Sequence, residues 1–320
     1  MTPLLIVILG PTAVGKTELT LSLAEWLKCP ILNCDSRQIY RGMDIGTASP
    51  TPEQLARVHH YFVNQLEPGE YYSAAKYEQD VLKLTAELFQ RHRALILSGG
   101  SMMYIDAVCN GIDDIPTVDK NVRDTLYRRL EEKGIDSLLA ELRMIDPAHY
   151  DVVDHKNAKR VVHALEVYYT TGTPYSNFLT RKTLRTSMEG TSSENNIMSS
   201  NKTQRPFNIL KIGLERPREE LFSRINTRVD QMINSGMLHE AMTLMPHRHE
   251  NALNTVGYKE LFNVLDGTWE LPMAIERIKK NTRVYAKKQM TWFKHDNSIM
   301  WFHPDSQDEI KDYIEKALQE

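Results

Sequence analysis

Residues 4 to 9, Leu-Leu-Ile-Val-Ile-Leu, make an unbroken apolar run that stops at Gly10. A run that short, with no polar alternation, is the pattern of a strand covered on both faces, as in a parallel sheet. The period then changes. Across 17–28, Leu19, Leu23, Ala24 and Leu27 fall on one face of a helix, and a second apolar stretch at 30–35 reads as the next strand. Strand, helix, strand opens a doubly wound α/β fold. Further strands are predicted at 60–64, 94–98, 207–214 and 299–302, and a long helix between Ser73 and His92 with Ser73 as its cap.

Between 116 and 180 the strand pattern disappears. Three segments there carry helical spacing, the last closing at Gly172 and Pro174, so a helical insertion is expected between two strands of the core. Residues 186–204 are polar and rich in Ser, Asn and Thr, the composition of a disordered loop. Helices return at 217–234, 237–245, 256–266 and 272–293. The predicted organisation is a P-loop-type α/β core from 1–115 and 205–320, a helical insertion at 116–185, and a loop at 186–204.

Composition narrows the class. Of 320 residues, 41% are hydrophobic and 25% charged, ordinary for a globular protein long enough to bury a full core. No apolar run approaches the roughly 18 residues of a membrane span, and the apolar opening reads as a buried strand, not a signal peptide. The three cysteines, Cys29, Cys34 and Cys109, have neither disulfide nor zinc-ligand spacing, which fits a reducing cytoplasm. The net charge of −3 gives no global pull toward a polyanion. Locally the balance differs, for Arg277, Lys279, Lys280, Arg283, Lys287, Lys288 and Lys294 fall within one stretch free of Asp and Glu.

The stretch Gly10-Pro11-Thr12-Ala13-Val14-Gly15-Lys16-Thr17 follows a strand and opens a helix. Glycines there let backbone N–H groups curl around an anion, the helix N-terminus adds positive dipole, Lys16 reaches phosphate oxygens, and Thr17 can ligate Mg²⁺. The loop does not specify which phosphates. The strand at 94–98 runs into Ser98, Gly99, Gly100 and Ser101 where a motor ATPase would carry Asp-Glu, so a group transferase fits better. Asp35 ends the second strand, at the sheet edge where open α/β folds bind ligands. Three roles stand open for it: metal partner, general base, or cap of the following turn.

GPTAVGKT, DSRQIYRGMDIGTA, SGGSMMYIDAVCNG, NAKRVVHALEVYYTTGTPYS, VGYKEL and TRVYAKKQMTWF occur in that order. In these motifs the chain resembles the bacterial tRNA dimethylallyltransferases, also called tRNA isopentenyltransferases, over nearly its whole length. The resemblance implies transfer of a dimethylallyl group from dimethylallyl diphosphate to the exocyclic amine of adenine 37, beside the anticodon, in tRNAs reading codons that begin with U. It also implies Mg²⁺. By the same resemblance Asp35 is the general base, and the loop from Gly10 to Thr17 holds the diphosphate. Arg224 or Arg228, one turn apart, contacts that diphosphate; the alternative is a surface ion pair between Glu220 and Arg224.

The resemblance further implies contact with the tRNA anticodon stem-loop by Asp35, Ser36, Arg37 and Gln38, by Ser101 and Arg123, and by Lys159, Arg160, Val161, Val162 and His163. On the helix at 272–293, Ile278, Thr282, Tyr285 and Trp292 are expected along one side and the basic residues Lys280, Arg283 and Lys287 along another, where Arg283 and Lys287 would meet RNA phosphates. The chain departs from the family where Ser101 replaces threonine and His163 replaces a common arginine, the latter making its contact pH-sensitive. No segment matches the zinc finger of eukaryotic relatives, which implies the bacterial type, and a monomer is expected. The competing readings are a prenyltransferase for free adenylate, a small-molecule kinase and a non-catalytic RNA-binding module.

Overall fold

The computed structural model describes residues 2–113, 115–116, 118–179 and 205–319. The polar stretch at 186–204 lies outside the described residues. Two compact units divide the chain, Met1–Gly111 with Thr203–Glu320, and Ile112–Lys202.

In the first unit, β1 (Leu4–Leu9) leads through the phosphate loop into α1 (Lys16–Leu27) and β2 (Ile31–Cys34). Two short helices, α2 (Asp44–Thr47) and α3 (Pro52–Arg57), precede β3 (His60–Tyr61). Next come α4 (Ala74–Leu88), β4 (Ala94–Gly99) and α5 (Met102–Asn110). Ser73 caps α4 by accepting the Lys76 N–H, as its residue type predicts. The strand expected at 60–64 is shorter. Phe62 and Asn64 adopt positive φ of 64° and 50°, which turns the chain after Tyr61. The backbone N–H groups of Asn64, Gln65 and Leu66 donate to the carbonyls of Gln38 and Ile39, so that turn braces the segment after Asp35.

The second unit contains α6 (Lys120–Ile145), α7 (Pro147–Tyr150) and α8 (Ala158–Thr171). Gly134, at φ 72° and ψ 175°, breaks α6 into the two helical segments that the sequence separates there. Its own core gathers Leu126, Leu138, Leu142, Val161, Val162 and Leu165.

The first unit resumes with β5 (Asn208–Leu214), α9 (Arg218–Asn234) and α10 (Met237–Thr243). It ends with α11 (Tyr258–Leu265), α12 (Leu271–Phe293), β6 (Ile299–Phe302) and α13 (Gln307–Gln319). The six strands form one parallel sheet in the order β3-β2-β4-β1-β5-β6. Strands β1 and β4 are buried throughout, which is why their sequences are continuously apolar. This is a P-loop NTPase-like core. Among the described residues no helix is long and apolar enough to cross a membrane.

Register positions the chemistry. Gly99 of β4 pairs with Leu9 of β1 on one side and with Cys34 of β2 on the other. Gly10, Asp35 and Gly100 therefore leave the sheet at one level. Two strand spacings separate the starts of the phosphate loop and of the Asp35 turn, about 10 Å.

Candidate active site

The loop between β1 and α1 folds as its sequence predicts. Gly10 and Gly15 take φ of 151° and 113°, and a Cβ at Gly10 would lie 2.7 Å from the Leu214 carbonyl oxygen. Lys16 Nζ donates to the carbonyls of Gly10 at 2.9 Å and Pro11 at 2.8 Å. Burial, with Arg228 beside it, lowers the Lys16 ammonium to about 7, while Asp35 pulls the other way. Arg228 is also lowered by burial, again opposed by Asp35 and reinforced by Arg224. Asp35, Lys16 and Arg228 thus feel one another's charge across the end of the sheet, as the register requires.

Three more side chains hold the loop's backbone. Arg224 Nε donates to the Ala13 carbonyl at 2.9 Å, Arg216 Nε to the Val14 carbonyl at 2.7 Å, and Gln289 Oε1 accepts the Thr12 N–H at 2.9 Å. Between them, the peptide groups of residues 10 to 14 are tied to side chains reaching in from α1, α9, α12 and the turn after β5. Both arginines of the predicted pair are therefore at the loop, in different positions: Arg224 is exposed and bonds the backbone, whereas Arg228 is more buried and faces Lys16 and Asp35. The alternative ion pair is not made with Arg224. Glu220 pairs with Arg216 at 2.5 Å, since Arg216 is fixed one turn before it by Val14 and by Asp305.

Asp35 Oδ1 accepts the backbone N–H of Arg37 at 2.9 Å and of Gln38 at 3.4 Å. The turn-capping role is thus real, and it uses one carboxylate oxygen. Ser36 N–H donates to Ser101 Oγ at 2.8 Å, joining the turns after β2 and β4. Arg37 and Gln38 are committed within the fold: Arg37 Nη1 donates to the Asn251 carbonyl, and Gln38 Nε2 to the carbonyls of Thr47 and Ala48. Tyr285, 38% exposed, adds an aromatic side chain near Asp35: burial of its hydroxyl and that carboxylate together push it up to about 12.

The side of α12 that bears Ile278, Thr282, Tyr285 and Trp292 is buried only at Ile278. Ala274, Ile278, Ala286, Gln289 and Phe293 point inward, whereas Tyr285 and Trp292 are 38% and 44% exposed. Trp292 Nε1 donates to Asp106, a polar tie that lets its ring stay at the surface. Three of the seven basic residues carry partners: Lys279 pairs with Asp230 and Glu276, Lys294 with Glu215, and Arg283 donates to Asn226. Lys287 is exposed. Arg283 lies against α9 and over the Phe222 ring at 6.0 Å.

Within the helical unit, Lys159 and Arg160 are exposed, but Val161 and Val162 are 0% and 1% exposed and belong to its core. An RNA contact by those two side chains is excluded by that burial. Arg123 clasps Glu166 with two bonds, Nε at 2.7 Å and Nη2 at 2.8 Å, and His163 Nδ1 meets the same carboxylate at 2.6 Å. Burial raises Glu166, yet these two partners outweigh it and hold the carboxyl below its usual range. Arg123 and His163, which sequence reasoning treats separately, thus meet on one buried carboxylate.

Among the described residues no group of three or more His, Cys, Asp or Glu stands together as a metal site. Thr17, exposed on the first turn of α1, offers a single hydroxyl. Such a sparse donor set fits Mg²⁺, which keeps most of its water and is commonly held through substrate phosphates. Sequence reasoning missed Arg216 and Gln289. Gln289 was detectable as a polar residue on an otherwise apolar stripe with Ala286 and Phe293, and Arg216 by its place just beyond the end of β5.

Comparison with known proteins identifies the family of the chain. Residues 38–296 match the family model described as IPP transferase. A tRNA dimethylallyltransferase of Phocaeicola vulgatus is 56% identical over 310 residues, 97% of either chain. One of Bacteroides fragilis is 53% identical over 315 residues, 98% of either chain. The crystal structure of a tRNA isopentenylpyrophosphate transferase from Bacillus halodurans superposes with a TM-score of 0.68 at 33% identity, covering 98% of this chain and 96% of that one. A eukaryotic dimethylallyltransferase acting on tRNA gives 0.71 at 25% identity, covering 91% of this chain and 70% of the other. With a family match across most of its length and relatives more than half identical along it, the chain belongs to the IPP transferase family of bacterial tRNA dimethylallyltransferases.

Proposed function

We propose that this protein transfers the dimethylallyl group of dimethylallyl diphosphate to the exocyclic N6 amine of adenosine 37 in tRNAs that read codons beginning with U, releasing diphosphate. The observation that carries the proposal is the register that levels Leu9, Gly99 and Cys34 and so delivers the phosphate loop and Asp35 to the same end of one parallel sheet, where Asp35 acts on the charges of Lys16 and Arg228. The phosphate loop holds the leaving group at one end of the reaction path, and the carboxylate receives a proton at the other.

Adenine's exocyclic nitrogen is a weak nucleophile because its lone pair is delocalised into the ring. As that pair forms the new N–C bond to the allylic carbon, the C–O bond to diphosphate breaks and its electrons leave with the oxygen. Asp35 Oδ1 stays on the turn N–H groups, which fixes the carboxylate, and Oδ2 takes the amine proton. Lys16 and Arg228 meet the charge building on the departing oxygens. Mg²⁺, held by Thr17 and the diphosphate itself, would neutralise further charge on the leaving group. Arg224, bonded to the loop at Ala13, lies at its mouth and guides the anion in.

The adenine must leave the anticodon-loop stack to reach an amine-sized gap beside the diphosphate, at an expense of a few kcal/mol. Exposed Lys159, Arg160 and Lys287 supply phosphate contacts that position the RNA without reading its sequence. Arg123 and His163, both bonded to Glu166, are assigned to the same surface by the family resemblance. The three cysteines, all buried and unbridged, fit a reducing cytoplasm.

The test is to incubate the protein with labelled dimethylallyl diphosphate, Mg²⁺ and either an anticodon stem-loop or AMP. Label on the stem-loop alone is expected. Label on AMP alone would favour the free-adenylate enzyme, and ATP consumption dependent on a small acceptor would favour a kinase.

A further inference from the structure

The phosphate-loop sequence leaves open how long a phosphate chain it accepts. We infer that Gln289 sets that length, closing the loop to a third phosphate. The inference rests on the reading above that the loop binds a diphosphate.

Gln289 is 2% exposed and reaches the loop from α12. Its Oε1 accepts the Thr12 N–H at 2.9 Å, and its Nε2 donates to the Gly100 carbonyl at 2.8 Å. These two bonds fix which way the amide points. Turned over, it would set its NH₂ against the Thr12 N–H and its oxygen against the Gly100 carbonyl, and both bonds would be lost. Position 100 is a glycine for the same reason, since a Cβ there would lie 2.5 Å from Gln289 Nε2.

A phosphate loop works by presenting converging backbone N–H groups, and each further phosphate needs donors of its own. Near the helix N-terminus, the N–H groups of Gly15, Lys16 and Thr17 remain to serve an anion. A longer chain would extend back toward the strand end of the loop. There Pro11 has no N–H to give, and the N–H of Thr12 is already taken by a buried acceptor. Two successive positions therefore offer no donor. The carbonyl oxygen installed beside Thr12 also repels phosphate oxygens. A loop whose sequence would suit a nucleoside triphosphate is shortened, from outside, to a diphosphate site.

The test is calorimetry with inorganic diphosphate and with tripolyphosphate, in excess Mg²⁺, on the full chain. The wild-type protein is expected to bind diphosphate at least tenfold tighter, although tripolyphosphate carries more charge. Gln289→Ala, which frees the Thr12 N–H and opens space, is expected to gain affinity for tripolyphosphate and narrow the ratio about tenfold. A gain of binding cannot come from misfolding. Gly100→Ala, which displaces the amide without touching position 289, is expected to shift the ratio in the same direction. Equal wild-type affinities, or parallel loss of both ligands in the variants, would overturn the inference. A wild-type protein that binds neither anion would instead overturn the diphosphate reading of the loop.

Discussion

Lys16 feels both Arg228 and the Asp35 carboxylate, and its ammonium is lowered to about 7 by burial and Arg228. A diphosphate favours the charged form and so raises that value. Above pH 7, binding must therefore take up a proton at Lys16, and affinity falls as pH rises. Calorimetry at pH 8 in buffers of different ionisation enthalpy should read close to one proton more for the wild type than for Lys16→Met; equal uptake would contradict the assignment. Asp35 is tested apart from its cap. Asparagine keeps the oxygen that accepts the Arg37 and Gln38 N–H groups but cannot take a proton. Asp35→Asn should lower turnover about 10²- to 10⁴-fold with diphosphate affinity within a few-fold, read by single-turnover kinetics beside direct binding.

The helix α8 separates two kinds of residue that lie side by side in sequence. Lys159 and Arg160 are exposed, whereas Val161 and Val162 are core. Lys159→Ala and Arg160→Ala should each reduce the salt dependence of tRNA binding by about one unit of slope, with stability within about 0.5 kcal/mol. Val161→Asp buries an unpaired charge and should cost several kcal/mol. Thermal melts beside filter binding distinguish these outcomes; a stable Val161→Asp protein with weakened RNA binding would put that valine back at the RNA surface. Element by element, the strands and the helix ends were legible because burial on both faces and cap chemistry write themselves into local pattern. The shortened strand at His60–Tyr61 was not, because the chain turns at Phe62 and Asn64, both at positive φ, to bring the N–H groups of Asn64, Gln65 and Leu66 onto the carbonyls of Gln38 and Ile39, a long-range constraint. On α12 the side bearing Ile278, Thr282, Tyr285 and Trp292 follows from spacing alone, whereas the burial of Gln289 does not, because it looks polar in sequence and is buried only where two backbone groups await it.

At the scale of the molecule, one register relation organises the site: Leu9, Gly99 and Cys34 are level, so three strand ends deliver the phosphate loop, the Gly100 turn and Asp35 together. The loop and the aspartate could be read from sequence, since each follows directly from a strand end. Their bracing could not, because Arg216, Arg224 and Gln289 arrive from elements about two hundred or more residues away along the chain. The deciding experiment is mass spectrometry of nucleosides from tRNA treated with the protein, dimethylallyl diphosphate and Mg²⁺, run in parallel with Asp35→Asn. The expected result is an adenosine at position 37 heavier by one dimethylallyl group with the wild type and almost none with the variant. Unmodified tRNA with the wild type, or equal modification by both proteins, would contradict a reaction path running from this carboxylate to this phosphate loop.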